Sequence, residues 1–236
     1  ALDEALAVAA VVLAADAPSQ ALVASGLSHL STAVDGLVAL DGATAAPARG
    51  QLSHDNGWDT GIADGDYTVH MNLWWGTNGS KLRIFENGEL VSTQQLAFGG
   101  VAPQKATLPV AGKGNGIYTY TGELVNSQGT TALAAVTVTV THANPGTPQL
   151  SHDNWDRDGR YAVTANLWWG TNASSYRFFE NGAAVGGGTL TAATPAAQTA
   201  RLDVSGKAPG TYSYRVEFSN AAGTTTSSTI QVVVAR

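Results

Sequence analysis

The sequence contains no cysteine, which excludes disulfide bridges, cysteine-bound zinc and thiol catalysis together. Charged residues make up only 13% of the 236 residues, and the net charge of −6 leaves no basic surface for nucleic acid or for an anionic membrane. No apolar run reaches the roughly 18 residues that a bilayer-spanning helix needs. These absences predict neither a nucleic-acid partner nor membrane insertion.

No secretory signal peptide is visible in the sequence, because no basic segment followed by an apolar stretch begins at Ala1. With 27 glycines and few charges, the composition is typical of secreted β-sandwich modules. We therefore expect a secreted, extracellular protein. The sequence then represents either the mature chain or a fragment of a longer one.

Most of the chain is a duplication that begins at Gln51. Leu-Ser-His-Asp-Asn occurs at 52–56 and at 150–154, and Asn-Leu-Trp-Trp-Gly-Thr-Asn occurs at 72–78 and at 166–172. The offset between the copies falls from 98 (150 − 52) to 94 (166 − 72). The first copy therefore carries a four-residue insertion near Gly57–Ala63, which predicts a surface loop of variable length.

Each copy contains short runs with the period-two alternation of half-buried strands, such as residues 67–75. Asn87-Gly88 and Asn181-Gly182 predict hairpins with type I′ turns. About seven strands per copy predict a mainly β protein with two tandem Ig-like or fibronectin III-like β-sandwiches. We place these sandwiches at residues 51–142 and 149–236.

Residues 1–45 precede the duplication and repeat apolar residues at helical spacing, first Leu6, Ala10 and Leu13 and then Leu27, Leu30, Val34 and Leu37. The pattern predicts a short α-helical hairpin that ends at Asp41-Gly42. The stretch weakly resembles the "found in various architectures" helical repeats that space domains in secreted bacterial enzymes, although any amphipathic hairpin gives a similar pattern. Residues 43–50 and 142–148 are predicted linkers, and two prolines stiffen the second.

Four of the six tryptophans lie in the two copies of the Trp-Trp motif. Because side chains alternate along a strand, parity predicts that Trp75 and Trp169 face the core and that Trp74 and Trp168 face water. An exposed indole is a platform for the C–H face of a sugar ring. The alternative is that each outward ring packs on the linker, on a loop or on the other copy. Nearby amides that would then hydrogen-bond sugar hydroxyls are Asn72, Asn78, Asn166 and Asn172.

The Asn-Leu-Trp-x-Gly motif, the Asn-Gly hairpin and the later Asn-x-x-Gly turn together resemble the fibronectin III-like N-terminal domain of bacterial chitinase A. The resemblance covers each copy separately and implies that Trp74 and Trp168 stack on chitin. It further implies a second polymer-facing tryptophan in each copy, at Trp58 and Trp155, and a catalytic domain in the same parent chain. Two copies and a second tryptophan in the motif depart from the family pattern, which favours plain polysaccharide binding over feeding a catalytic cleft.

Catalysis by this chain is not expected. Ser53-His54-Asp55 cannot form a triad, because consecutive strand residues point to opposite faces. Glycoside hydrolysis needs two carboxylates that face each other across a cleft, and the sequence offers no such pair. The Asp and Asn of the His-Asp-Asn motif are predicted to cap the turn that follows.

The aspartate-rich loops after that motif could bind a calcium ion or could be ordinary turns. Clustered carboxylates suit Ca²⁺, but Asp-Gly is also an ordinary turn, and otherwise we expect no cofactor. The aspartates are Asp55, Asp59 and Asp64 in the first copy and Asp153, Asp156 and Asp158 in the second.

The sequence thus predicts non-catalytic carbohydrate-binding modules from a secreted bacterial polysaccharide-degrading enzyme. Their partner would be chitin or another insoluble glycan. The alternative is a structural spacer or a cell-surface adhesion module without a sugar site.

Overall fold

The structure is a computed structural model that describes residues 6–7, 9–12, 19–36 and 41–235, apart from the side chains of residues 31 and 33–36. It is mainly β, with antiparallel sheets and short helices near the N-terminus. The predicted fold class is therefore confirmed. No helix in the described ranges is long and apolar enough to cross a membrane.

Helical residues precede the strands in the described part of the chain. Residues 6–7 and 9–12 are helical, and helix α1 spans Gln20–Gly36. The segments touch at Gly26, where an added Cβ would lie 2.9 Å from Val12 Cγ2. Leu27, the first residue of the second predicted apolar stripe, is exposed to solvent. Leu13 and Leu37 of the predicted stripes lie outside the described residues.

The first copy contains seven strands in two sheets, ordered β1-β2-β5 and β4-β3-β6-β7. The strands are β1 (Gln51–His54), β2 (Tyr67–Leu73), β3 (Lys81–Glu86), β4 (Glu89–Gln95), β5 (Gln104–Val110), β6 (Gly116–Asn126) and β7 (Gly129–Val140).

The second copy repeats this arrangement with sheets β8-β9-β12 and β11-β10-β13-β14, and β15 also pairs with β13. Two short strands replace the long β7 because Ser227 interrupts the edge, where its Oγ accepts the N–H of Val216. The strands are β8 (Gln149–His152), β9 (Tyr161–Leu167), β10 (Ser175–Glu180), β11 (Ala183–Thr189), β12 (Gln198–Val204), β13 (Gly210–Ser219), β14 (Thr224–Thr226) and β15 (Ile230–Val234).

Both sheets of the second copy contribute to one hydrophobic core. Along β9, Val163, Ala165 and Leu167 are buried, whereas Thr164 and Asn166 are only half-buried, as period-two alternation predicts. The opposing sheet contributes large apolar side chains to the same cluster. These are Phe178, Tyr214, Val216, Phe218, Val232 and Val234.

The Asn-Gly hairpins have the predicted turn geometry. Asn87 and Gly88 have φ angles of 50° and 89°, and Asn181 and Gly182 have φ angles of 49° and 87°. Two consecutive positive φ angles define the type I′ turn that suits the twist of a two-residue hairpin. The turn prediction is therefore confirmed in both copies.

The chain forms two compact units. One comprises Ala1–Leu52, Met71–Ala106 and Tyr120–Ala135, and the other comprises Ser53–His70, Thr107–Thr119 and Val136–Arg236. The module boundaries drawn from the sequence, 1–45, 51–142 and 149–236, stay a prediction.

The segment before the first copy is docked onto that copy rather than free. The amide of Asn126 donates a hydrogen bond to the carbonyl of Ala45 (2.9 Å), and the Thr131 hydroxyl donates one to the carbonyl of Pro47 (2.5 Å). The N–H of Ala48 donates to the carbonyl of Thr77 (2.8 Å). Three hydrogen bonds thus hold residues 45–48 of the predicted linker against the first copy.

The segment before the second copy makes the same three hydrogen bonds. Asn220 donates to the carbonyl of Ala143 (2.8 Å), and Thr225 donates to the carbonyl of Pro145 (2.6 Å). The N–H of Gly146 donates to the carbonyl of Thr171 (2.8 Å). Three hydrogen bonds therefore hold residues 143–146 against the second copy.

Asp41 anchors the start of the first docked segment. Its carboxylate accepts hydrogen bonds from the Ser127 hydroxyl (2.7 Å) and from the N–H of Ala43 (3.0 Å). Desolvation opposes ionisation, but these bonds and one from Ser80 outweigh it and lower the pKa of Asp41 to about 2.

This pKa predicts a specific loss of stability in acid. A carboxyl group whose pKa is lower in the folded state stabilises the fold above its unfolded pKa, near 3.9, and that stabilisation disappears as the pH falls toward 2. Replacing Asp41 by Asn should therefore lower the urea midpoint at pH 7, and the difference from the parent should shrink as the pH approaches 2. Asp203→Asn, at an exposed carboxylate, is the control and should show little difference at either pH. A difference for Asp41→Asn that is independent of pH would contradict the assignment.

Candidate functional site

All six tryptophans lie on the surface, and none contributes to the core. The exposed fractions are 87% for Trp58, 68% for Trp74, 69% for Trp75, 83% for Trp155, 66% for Trp168 and 60% for Trp169. The predicted exposure of Trp74 and Trp168 is confirmed. The predicted core position of Trp75 and Trp169 is wrong.

Strand termination explains the error. The strands end at Leu73 and Leu167, one residue before the tryptophan pair, so alternation no longer governs the second ring. Gly76 and Gly170 then turn the chain with φ angles of 138° and 137°. These angles favour glycine because a side chain would be strained.

The docked segment leaves no room for an inward ring at this turn. A Cβ added to Gly76 would lie 2.3 Å from the Cβ of Ala48. In the second copy, a Cβ added to Gly146 would lie 2.6 Å from Leu167 Cδ1 and 3.5 Å from the Gly170 Cα. The segment thus covers the end of the strand, where the alternation of side chains predicted that Trp75 or Trp169 would point into the core.

Trp168 follows the end of β9, next to the outer face of the three-stranded sheet in the second copy. Thr164 and Asn166 project from this face of β9, and Arg201 and Thr199 of β12 lie opposite them in the register. The Thr199 hydroxyl donates a hydrogen bond to the Asn166 Oδ1 (2.8 Å). Among the described residues the Asn166 amide N–H group has no partner, so it is available to a ligand beside the Trp168 ring.

Trp155 lies at the opposite end of the same sheet face. Its ring centroid is 5.8 Å from that of His152, and it lines a cavity of about 580 Å³ together with Arg160, Ala162 and Asp203. Trp168 lies six positions after Ala162 (168 − 162), which is roughly 20 Å along an extended strand. Two exposed indoles therefore flank a polar face long enough for several sugar rings.

In the first copy, Trp74 is accompanied by half-exposed Asn72 and by Lys105, whose Nζ lies 6.0 Å from the centre of the indole ring. Position 199 of the second copy, 94 residues after Lys105, is a threonine. The surroundings of Trp74 and Trp168 therefore differ by one positive charge.

Trp58 projects from the loop that follows β1. This loop has twelve residues (66 − 54) in the first copy and eight (160 − 152) in the second, which matches the predicted insertion. The N–H groups of Trp58 and Asp59 both donate to the carbonyl of Asp55 (2.7 and 3.1 Å). The loop is thus a hydrogen-bonded turn that presents its indole to water.

Asn78 and Asn172, predicted as sugar contacts, lie in the interior and are only 2% and 3% exposed. The Asn172 amide donates to the carbonyl of Ala196 (2.8 Å), and its Oδ1 accepts the N–H of Ala193 (2.6 Å). Asn78 makes the corresponding bonds to Ala102 and Gly99. Both amides hold a loop in place, as asparagine side chains often do. Neither side chain is therefore available to hydrogen-bond a sugar.

The aspartates of the loops hydrogen-bond backbone N–H groups of their own loops and of the next strand. Asp55 accepts from Thr68 and Asp153 from Ala162, each at 2.6 Å, and Asp158 accepts from Arg160 at 2.7 Å. Among the described residues no group of three or more acidic or histidine side chains is placed to hold a metal ion. The calcium hypothesis therefore gains no support from the arrangement of these carboxylates.

Asp55 and Asp64 titrate differently because their surroundings differ. Burial works against ionisation of Asp55, but the bonds from Thr68 and His70 lower its pKa. Burial and the nearby charges of Asp66 and Asp59 raise the pKa of Asp64. The Asp of the motif thus joins its loop to the start of the next strand. The Asn side chains do not cap the turn, because Asn56 donates to the carbonyl of Thr139 (2.9 Å) and Asn154 to that of Val233 (3.0 Å), both in the last strands of their copies. The capping prediction is therefore wrong for the two asparagines.

Part of the second copy matches a known family. A family model described as the N-terminal domain of chitinase A matches residues 157–236. This supports the resemblance drawn from the Asn-Leu-Trp motif for the second copy. No curated protein matches the chain in sequence.

Two solved structures are similar to this chain. One comprises fibronectin(III)-like modules of CbhA from Clostridium thermocellum, 14% identical, covering 81% of this chain and 90% of that chain with a TM-score of 0.26. The other is the BSP domain of a biofilm associated protein, 18% identical, covering 73% of this chain and 28% of that chain with a TM-score of 0.28. Because both TM-scores are below 0.5, the fold is assigned from the order of the strands in the sheets and not from these two structures.

The buried asparagines yield a stability prediction. Asn172→Ala should lower the free energy of unfolding by about 1–3 kcal/mol, because it leaves a buried carbonyl and N–H group without partners. Asn166→Ala, on the half-exposed sheet face, should cost less than about 0.5 kcal/mol. Urea unfolding of both variants measures the difference, and equal stabilities would show that the Asn172 bonds contribute nothing.

Proposed function

We propose that both copies are non-catalytic carbohydrate-binding modules in which Trp74 and Trp168 stack on the sugar rings of an insoluble polysaccharide. The observation that carries the proposal is the exposure of these two rings beside the half-exposed amides of Asn72 and Asn166. Each of these rings lies next in sequence to a second exposed indole, and contiguous exposed apolar patches, unlike single exposed apolar side chains, mark interaction sites.

The chemistry of the face suits a sugar. An indole offers a flat apolar surface to the C–H face of a pyranose, while a neighbouring amide donates to a hydroxyl. The Asn166 N–H group and the exposed Thr199 and Arg201 side chains supply polar contacts between Trp168 and Trp155. The face lies on an open sheet rather than in a closed pocket, which favours an extended polymer over a single sugar.

Chitin is the first polymer to test, because the family model that matches the second copy describes a domain of chitinase A. By the same reasoning we propose that the parent chain carries a catalytic domain and is secreted, since the polymer is extracellular. The modules themselves hold the enzyme on its substrate.

Duplication strengthens this role by mass action. When one module has bound an insoluble polymer, its covalently linked copy meets the next binding site at a high effective concentration. Two weak sites then retain the chain far longer than either alone.

Retention on chitin, cellulose, xylan and starch, with and without Ca²⁺, tests the proposal. Trp74→Ala and Trp168→Ala should each weaken retention moderately, and the double variant should lower the apparent affinity at least about tenfold, roughly 1.4 kcal/mol. The rings are mostly exposed, so both variants should fold normally.

Ile117→Ala is the matched control because it removes another exposed apolar side chain, 67% exposed, outside the tryptophan motif. Its retention should equal that of the parent. If the double tryptophan variant is retained as well as the parent, the tryptophans do not bind the polymer. Failure of every polymer to retain the parent would favour a spacer or adhesion module.

A further inference from the structure

Trp169 belongs to a surface different from that of Trp168. It lines a groove of about 370 Å³ together with Ile62, Asn115, His142, Asn144 and Thr147. This volume lies within the range of about 300–1,000 Å³ typical of small-ligand sites. The sheet-face site uses none of these residues, so the groove needs its own explanation.

The four-residue insertion in the first copy helps to build this groove. Ile62, which is 4% exposed, comes from that insertion and forms part of the apolar lining. A Cβ added to Gly61 would lie 3.8 Å from the Trp169 Cζ2, so the insertion reaches the edge of the indole.

Hydrogen bonds hold the walls of the groove in place. The N–H groups of Thr141 and His142 both donate to the carbonyl of Ala63 (3.1 and 2.9 Å). The N–H of Ala143 donates to Asn115 Oδ1 (2.8 Å), and the Thr171 hydroxyl donates to the carbonyl of His142. Walls fixed in this way need little ordering when a ligand binds, which favours affinity.

The lining selects a neutral, hydroxylated ligand. It contains no aspartate, glutamate, lysine or arginine, and His142 is its one titratable group. Among the described residues the exposed Asn144 amide and the N–H group of the Asn115 amide have no partner. An indole, an apolar floor and free amides together match an uncharged sugar ring, whereas a uronic acid or a phosphate would find no cation.

We propose that this groove is a second saccharide subsite, distinct from the sheet face, that takes one neutral sugar residue with Trp169 as its stacking ring and Asn144 as a hydrogen-bonding group. The inference rests on the proposed carbohydrate binding for its ligand class, but on separate residues for its location. Trp75 occupies the same motif position in the first copy. The insertion that supplies Ile62 occurs only in the first copy, and Trp75 does not line this groove.

The test uses the indole N–H signals of the six tryptophans in the ¹⁵N-labelled full chain, assigned with single Trp→Phe variants. The probes are the β-1,4-linked tetramers of N-acetylglucosamine and of glucose. At least one tetramer should shift the Trp169 signal and leave the Trp75 signal in place. Asn144→Ala should weaken the apparent affinity measured at Trp169 several-fold and leave that measured at Trp168 unchanged.

The outcomes separate the two sites. If the Trp168 signal shifts and the Trp169 signal does not, the groove proposal is overturned and the sheet-face function stands. If the Trp169 signal shifts while those of Trp74 and Trp168 do not, the groove proposal stands and the sheet-face function falls. If neither tetramer shifts any indole signal, or if Asn144→Ala leaves the Trp169 affinity unchanged, the groove is not a saccharide subsite of the kind proposed.

Discussion

The segment that enters each copy crosses the end of the central strand of the three-stranded sheet, and this crossing decides where the tryptophans point. The N–H groups of Ala48 and Gly146 bond the carbonyls of Thr77 and Thr171, directly after the Trp-Trp pair. A Cβ at position 76 would lie 2.3 Å from the Ala48 Cβ, and the φ angle there is 138°, so this position favours glycine. The strand therefore stops before the pair, and both rings are left on the surface.

A core without tryptophan makes this arrangement possible. In the second copy aliphatic side chains, two phenylalanines and the buried tyrosines Tyr161 and Tyr214 fill the space between the sheets. The two tyrosine hydroxyls lie 2.8 Å apart, and that of Tyr214 also donates to the Glu180 carboxylate. Burial and that hydrogen bond raise the pKa of Tyr214. The hydroxyls of the core tyrosines are thus hydrogen-bonded, and the core is filled without any tryptophan.

The sequence predicted those features that depend on local periodicity and turn chemistry. Alternation located β2 and β9, Asn-Gly identified the type I′ hairpins, and the change in offset located the insertion. Parity failed at Trp75 and Trp169 because it holds only while the strand continues, and a contact from a distant segment ends the strand. Asn78 and Asn172 were misassigned for a related reason, since their loop partners lie more than 20 residues away.

The two tryptophans of the motif in the second copy lie on different surfaces. Trp168 continues the polar face of β9, and Trp169 turns into a groove that a loop of the first copy helps to line. Under the proposed function, adjacent rings with different surroundings would extend the sugar-binding surface of a small module without adding a domain. The proposed groove would also give the four-residue insertion a role that a plain tandem of identical modules would not require.

The proposed function depends above all on Trp74 and Trp168 acting as platforms for sugar rings. A crystal structure of the chain with a soluble oligosaccharide of the polymer that retains it tests this most directly. We expect a sugar ring stacked on Trp168, with a hydroxyl that accepts a hydrogen bond from the N–H group of the Asn166 amide. An oligosaccharide bound away from every tryptophan, or a Trp168 ring covered by protein, would contradict it.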